Sequence, residues 1–231
     1  VRGLLLDVDD TLVDTRAAME QAGIEAAAAL WPGLTAEQRL AFSRRFYDDP
    51  GGFFDRYTSG AMTFEEQRES RFDRAVADLA LPARDIVDFT AAYVEAFGRS
   101  QQVFEDGKRL LAAARAAGVG VVLLTNSGTS HTQDKLDRVG LTDCAPIVST
   151  DTLGFGKPDP RVFAHASELL GLAAADIVVV GDTLPTDIAG ARAAGMRAAW
   201  LCRPDTPAPR DSGWGTPIED AGVRIVGSLD D

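Results

Sequence analysis

An apolar run, Leu4-Leu5-Leu6, ends in Asp7-Val8-Asp9-Asp10-Thr11. Side chains alternate along extended backbone, so Asp7 and Asp9 leave the same side of the chain. A strand this apolar gains no stability by finishing in three carboxylates. A second run, Ile177-Val178-Val179-Val180, ends in Gly181-Asp182, with Asp187 five residues later near the start of a helical pattern. If the two run ends are neighbours, four carboxylates converge. Like charges that close raise one another's pKa values unless a cation is present, and a hard, oxygen-seeking ion such as Mg²⁺ meets that need. Asp182 or Asp187 taken singly has an ordinary explanation as a helix cap; the set of four does not.

Two further segments carry polar groups suited to an anion. The run Val119–Leu124 ends in Thr125-Asn126-Ser127-Gly128, which taken alone reads either as an ordinary turn or as an anion cradle of a hydroxyl, a side-chain amide and free backbone N–H groups. The helix after it is expected to open on a capping box of Ser130 and Gln133. Lys157 lies in Gly154-Phe155-Gly156-Lys157-Pro158-Asp159-Pro160, with Asp159 and Pro160 as N-cap and first residue of the next helix. It is one of only three lysines in the chain. The other two, Lys108 and Lys135, fall on helical patterns and are expected on solvated faces. A lysine on a glycine-proline loop beside clustered carboxylates can balance their charge and hold a phosphoryl oxygen.

The elements that must position these residues are legible in the hydrophobic pattern. Short apolar runs occur at 4–8, 119–124, 146–149, 177–180, 197–201 and 223–226. Such continuous runs suit strands buried on both faces of a parallel sheet. Helical patterns separate them, three ending at Gly118, Gly140 and Gly195, which suit C-caps. Strand and helix in alternation predict a doubly wound α/β core. The stretch from 15 to 98 has no strand-like run and reads as a helical insert, with capping boxes at Thr35/Gln38 and Thr63/Glu66. Expected domains are therefore 1–14 with 99–231 as the α/β core and 15–98 as the insert. Within the insert, Asp48–Gly60 reads as a turn-rich loop, and Arg203–Gly222 as a surface excursion before the last strand.

Composition narrows the partners. A chain of 231 residues holds one domain, or one with a sizeable insert. The net charge of -12 repels polyphosphate and anionic membranes, arguing against a nucleic-acid or membrane binder. Cys144 and Cys202 stand 58 apart with no CxxC, which disfavours a zinc site or redox pair and leaves them as inert thiols. No run approaches the ~20 apolar residues of a membrane span, and the first residues do not resemble a secretory signal. A cytoplasmic protein, monomer or homodimer, is expected.

The strand-end Asp7–Thr11, the Thr125-Asn126 pair, the isolated Lys157 and Gly181-Asp182-Thr183 with Asp187 resemble, in order, the four motifs of the haloacid dehalogenase superfamily. The resemblance runs from residue 4 to about 201. It implies a Rossmann-like core with a helical cap of the C1 type, similar to phosphoglycolate phosphatase-like members. It further implies that Asp7 is the nucleophile and Asp9 the general acid/base. Mg²⁺ would be held by Asp7, the backbone carbonyl of Asp9, Asp182 and Asp187, and the phosphoryl group by Thr125, Asn126 and Lys157. The position after Asp9 is often glycine in the family and here is Asp10.

Phosphate-ester chemistry is favoured within that superfamily, because dehalogenases resemble this chain in their aspartate nucleophile but typically lack the aspartate two residues on. Phosphonate-cleaving relatives use a cap lysine, and residues 15–98 contain none. The expected reaction is Mg²⁺-dependent hydrolysis of a small phosphorylated metabolite through an aspartyl-phosphate, with Asp9 kept protonated by the crowded carboxylates. Phosphomutase or phosphotransferase activity on the same motifs, or a catalytically silent phospho-ligand-binding regulator, are the alternatives. A phospho-acceptor receiver domain is about half this length and lacks the insert. Arg44, Arg45 and Arg56 are candidates to pair with a second anionic group on the substrate; the other reading puts them on a solvated helix face. Phe53, Phe54 and Tyr57 would stack a base or sugar, or fill the core of the insert.

Overall fold

The computed structural model describes residues 1–204 and 223–231. The first strand, β1 (Gly3–Leu6), is followed by five helices: α1 (Thr15–Leu30), α2 (Ala36–Asp48), α3 (Phe53–Thr58), α4 (Phe64–Asp78) and α5 (Ile86–Ser100). The chain continues as α6 (Glu105–Ala116), β2 (Gly120–Leu124), α7 (Thr129–Arg138), β3 (Ile147–Val148), α8 (Thr150–Leu153) and α9 (Pro160–Leu170). It ends with β4 (Ile177–Gly181), α10 (Ala189–Ala193), β5 (Arg197–Leu201) and β6 (Arg224–Val226). Two compact units result, Val1–Val13 with Val103–Asp231, and Asp14–Gln102.

The first unit is built on a parallel sheet of order β3-β2-β1-β4-β5-β6. All six apolar runs form its strands. Leu5 and Val179 pack with Val122, Phe163 and Ile188 in one core cluster; Leu4 and Leu6 pack with Leu123, Leu136 and Val180 in another. Apolar burial of about 1.5–3 kcal/mol per large side chain therefore acts on both faces, which is why the runs carry no polar alternation. Strand order reverses at β1, which has β2 on one side and β4 on the other. In open α/β sheets such a switch point opens a crevice at the carboxyl ends of the strands. Leu6 lies opposite both Leu123 and Val180, so three strands finish level and their next residues meet.

The second unit is all helical. Both expected capping boxes are formed, at Thr35/Gln38 and Thr63/Glu66. Its core is aromatic: Phe42, Phe46, Phe72 and Phe89 are buried with Trp31 and Tyr93, with Phe72 and Phe89 ring centroids 4.8 Å apart. The buried Arg71 caps the end of α2, donating to the carbonyl of Phe46 at 2.7 Å.

Two local expectations need correction. The stretch Asp48–Gly60 contains a helix, α3, rather than an unbroken loop; Asp49 Oδ2 accepts from the Phe54 N–H at 2.7 Å and organises its first turn. The Ser130/Gln133 box does not form. Helix α7 starts two residues earlier, with Gly128 as N-cap, and the Asp151 carboxylate accepts from the Thr129 N–H at 2.6 Å. The exposed Arg44 pairs with Glu20 at 2.9 Å, and Arg45 pairs with Asp78, so both guanidinium groups have carboxylate partners within the helical unit. Phe53, Phe54 and Tyr57 are half-buried; Phe54 and Tyr57 pack ring to ring at 5.7 Å, outside the main aromatic cluster. The predicted excursion up to Gly222 lies, from residue 205 on, outside the described residues. No helix among the described residues is long and apolar enough to cross a membrane.

Candidate active site

Asp7 is the first residue past β1, and its N–H still donates to Val180 O at 2.9 Å. The backbone then turns sharply: Asp10 takes a left-handed conformation at φ 59°, and its N–H donates to Val13 O at 2.8 Å. That conformation explains why glycine suits this position in the family the sequence resembles. Aspartate, with its short polar side chain, is among the residues that tolerate it best.

The carboxylates of Asp7, Asp182 and Asp187 offer oxygens that all lie within 4.8 Å of one another. Three of the four carboxylates expected to converge therefore do so, and β1 and β4 are neighbours. Asp7 and Asp187 are buried, Asp182 half-buried. Asp187 sits on a single wide helical turn, Leu184–Ile188, of the π type that recurs at functional sites. Its Oδ2 accepts from the Thr183 N–H at 3.0 Å. Gly181 makes room for it: a Cβ there would stand 2.4 Å from the Asp187 carboxyl carbon. The Asp182 carbonyl is fixed by the Trp200 indole N–H at 2.7 Å.

Lys157 is buried among these groups, its Nζ 2.6 Å from Asp7 Oδ1 and 2.6 Å from Asp187 Oδ1. Burial pulls its pKa down, but Asp187 and Asp7 more than offset this and hold it above the ordinary lysine range. Its loop is fastened by Asn126, whose Nδ2 donates to Lys157 O at 2.9 Å and whose Oδ1 accepts from Lys157 N at 2.6 Å. Both ends of the Asn126 amide are thus spent on the lysine's main chain, so it shapes the cradle by placing Lys157. Gly156 allows the approach, since a Cβ there would meet Asn126 Oδ1 at 2.3 Å. The buried Thr125 hydroxyl accepts from the Ser127 N–H at 3.1 Å and reaches Asp9 Oδ2 at 3.3 Å.

Charge crowding is felt at two members of the expected set, Asp7 and Asp182. Burial, then Asp187 and Asp9, push Asp7 up to about 7 against the pull of Lys157. Burial, then Asp7, Asp187 and Asp10, push Asp182 up to about 8. Asp9, the expected acid, crowds Asp7 and also meets a cation of its own. Its Oδ1 pairs with Lys135 Nζ, and its Oδ2 accepts from the Ser127 hydroxyl at 3.0 Å. Lys135 is only 5% exposed, which overturns its assignment to a solvated face. The signal was present in the sequence: Thr132, Lys135 and Leu136 share one helical stripe, and all three are buried. Lys108 does lie exposed, paired with Glu105 at 2.8 Å.

A divalent cation fits this donor set. Asp7, Asp182 and Asp187 carry three negative charges against the one positive charge of Lys157. Burial, then the neighbouring aspartates, raise Asp7 and Asp182 even with Lys157 beside them, and a further cation would relieve both. The Asp9 carboxylate is not part of that oxygen cluster. Cys144 and Cys202 are free thiols, and burial pushes the Cys144 thiol up, away from reactivity.

Comparison with known proteins agrees with the geometry. The profile of the haloacid dehalogenase-like hydrolases matches residues 1–195. The chain is 31% identical to a phosphoserine phosphatase of Thermus thermophilus over 88% of its length and 91% of that protein's. It is 29% identical to a phosphoglycolate phosphatase of Thiobacillus denitrificans, covering 84% and 80% of the two chains. In fold it is similar to the HAD hydrolase YfnB of Bacillus subtilis, solved bound to magnesium, with a TM-score of 0.77, 24% identity, and 99% and 95% coverage. The chain belongs to the haloacid dehalogenase-like hydrolases, on their phosphatase branch, with a doubly wound parallel-sheet core and an inserted helical cap domain.

Proposed function

We propose that the chain hydrolyses a small-molecule phosphate monoester in two steps through an aspartyl-phosphate on Asp7, with Mg²⁺ as cofactor. The observation that carries this reading is the placement of a buried Lys157 between Asp7 and Asp187, with Asp182 completing the oxygen cluster and Asp9 two residues from Asp7.

In the first step an Asp7 carboxylate oxygen attacks phosphorus and the ester P–O bond breaks. Asp9 gives its proton to the departing alkoxide, which leaves as an alcohol. In the second, water attacks phosphorus, the P–O bond to Asp7 breaks, and Asp9 takes up the water's proton. Lys157 binds a phosphoryl oxygen, reducing the repulsion between the Asp7 anion and a substrate dianion. Thr125 supplies a hydroxyl beside that site, and Asn126 keeps Lys157 in place. Asp7, Asp182 and Asp187, with the Asp9 main-chain carbonyl, would hold Mg²⁺, which when bound neutralises phosphoryl charge and keeps Asp7 ionised. The two curated relatives support a small phosphorylated metabolite bearing a carboxylate, since phosphoserine and phosphoglycolate both do.

Phosphate release from p-nitrophenyl phosphate and from 2-phosphoglycolate, with and without Mg²⁺, tests the reading. Mg²⁺-dependent release abolished by Asp7→Asn is expected. Release that persists in Asp7→Asn, or that ignores chelation, would sink it.

A further inference from the structure

We infer that Lys135 is a positioning residue for leaving-group protonation: through a buried contact it fixes the orientation of the Asp9 carboxyl group. The inference rests on the phosphatase reading above and adds a second lysine to its machinery.

Lys135 and Asp9 lie 126 residues apart and meet through a buried ion pair. The Lys135 side chain is 5% exposed and that of Asp9 28%, so the pair is largely shielded from water on the lysine side. A buried ammonium is costly to desolvate and is kept only where an anion repays it. The helix explains how it reaches. Lys135 lies six residues past Thr129, roughly 9 Å along α7, and helical side chains lean toward the N-terminus. Its extended stem therefore returns Nζ to the level of the strand ends. Helix α7 is braced for this at its start: Asp151 accepts from the Thr129 N–H at 2.6 Å, and the buried Thr132 hydroxyl donates to Gly128 O at 2.9 Å.

Asp9 is held from both sides. Lys135 takes Oδ1, while the Ser127 hydroxyl at 3.0 Å and the Thr125 hydroxyl at 3.3 Å address Oδ2. When the ester bond breaks, the Asp9 proton moves to the leaving oxygen and a carboxylate remains beside Asp7. Lys135 sets the direction in which the carboxyl group points. In this first step, an ester whose leaving group needs no proton, such as p-nitrophenyl phosphate, draws little on this arrangement, and an alkyl ester draws on it fully. The second step, water attack on the aspartyl-phosphate, is common to all esters.

The test compares kcat/KM for p-nitrophenyl phosphate and for 2-phosphoglycolate in the wild type, Lys135→Met and Lys135→Arg. We expect Lys135→Met to lose about 30-fold or more in kcat/KM on the alkyl ester and less than about threefold on the aryl ester, since kcat/KM reports the first step and not the water attack that both esters share. Lys135→Arg restores most of the difference. Retained aryl-ester turnover shows at the same time that the variant is folded. If Lys135→Met does not fold, Lys135→Gln is measured in its place and the same split is expected. Equal loss on both esters, or no loss on either, would overturn the role. A wild type inactive on both esters would instead overturn the phosphatase reading, and this inference with it.

Discussion

The side-chain amide of Asn126 closes two hydrogen bonds on the main chain of Lys157, donating to its carbonyl at 2.9 Å and accepting from its N–H at 2.6 Å. Two loops, one after β2 and one before α9, are locked together by a single residue. Asn126→Ala leaves both backbone groups without their partner, half-buried, and frees the loop that carries Lys157. Stability is expected to fall by about 1–3 kcal/mol, and kcat/KM by at least about tenfold. Urea unfolding and steady-state kinetics check the two numbers. A variant that loses stability but keeps full activity would show that the Lys157 loop needs no such tie.

Gly181 and Asp187 make a second tight fit. A methyl group at Gly181 would stand 2.4 Å from the Asp187 carboxyl carbon, closer than real Cβ atoms approach. Gly181→Ala must therefore push the Asp187 carboxylate away from Lys157 Nζ, which it now meets at 2.6 Å. The expected result is a loss of kcat of at least about tenfold with a raised Mg²⁺ requirement. A crystal structure of the variant with Asp187 unmoved would contradict this.

The sheet and the carboxylate cluster were legible because both rest on strong local signals. The inner strands, buried on two faces, carry almost no polar positions to confuse the pattern, and strand-end aspartates stand out against them; Arg197 and Arg224 interrupt only the outer runs of β5 and β6. A lysine is usually solvated, so residue type alone points Lys135 outward, yet its spacing from Thr132 and Leu136 places it on the buried stripe. Only tertiary contact with Asp9 makes that burial affordable. The N-cap of α7 was misplaced for a related reason, since Asp151, 22 residues on, caps it from outside the local sequence. Helix α3 follows a glycine pair and depends on the Asp49 side chain to satisfy its first turn, so Gly and aromatic content alone read as loop.

Crowded carboxylates trade stability for metal affinity, and Asp182 isolates the effect because no lysine pairs with it among the described residues. Burial and neighbouring aspartates push it up to about 8, so its charge is a burden in the metal-free protein. Asp182→Asn is expected to raise Tm in EDTA by a few degrees. Saturating Mg²⁺, at about 100 times its Kd, stabilises the wild type by about 2.7 kcal/mol, or roughly 5–10 °C. It should stabilise the variant much less. Melting curves in EDTA and in Mg²⁺ give both differences; a wild-type Tm that does not move with Mg²⁺ would remove the metal from the site.

Asp106 and Arg203 support the catalytic loop from behind. The Arg203 guanidinium donates to the two Asp106 carboxylate oxygens at 2.9 and 3.1 Å, lies 3.6 Å over the Phe104 ring, and donates to Thr11 O at 2.9 Å. Asp106 also accepts from the Ser228 hydroxyl and the Leu229 N–H. Burial alone would raise the Asp106 pKa, but Arg203, Leu229 and Ser228 outweigh it and hold it at about 2. Because the folded value lies below the unfolded one of about 3.9, the carboxylate contributes stability above pH 4, on the order of 2 kcal/mol. That contribution is lost as pH falls toward 2. Asp106→Asn is therefore expected to be less stable than the wild type by about that amount at pH 7, with the gap narrowing between pH 4 and pH 3. Urea unfolding of both proteins at pH 7, 4 and 3 measures it. A gap independent of pH would mean that Asp106 acts through its shape and not through its charge.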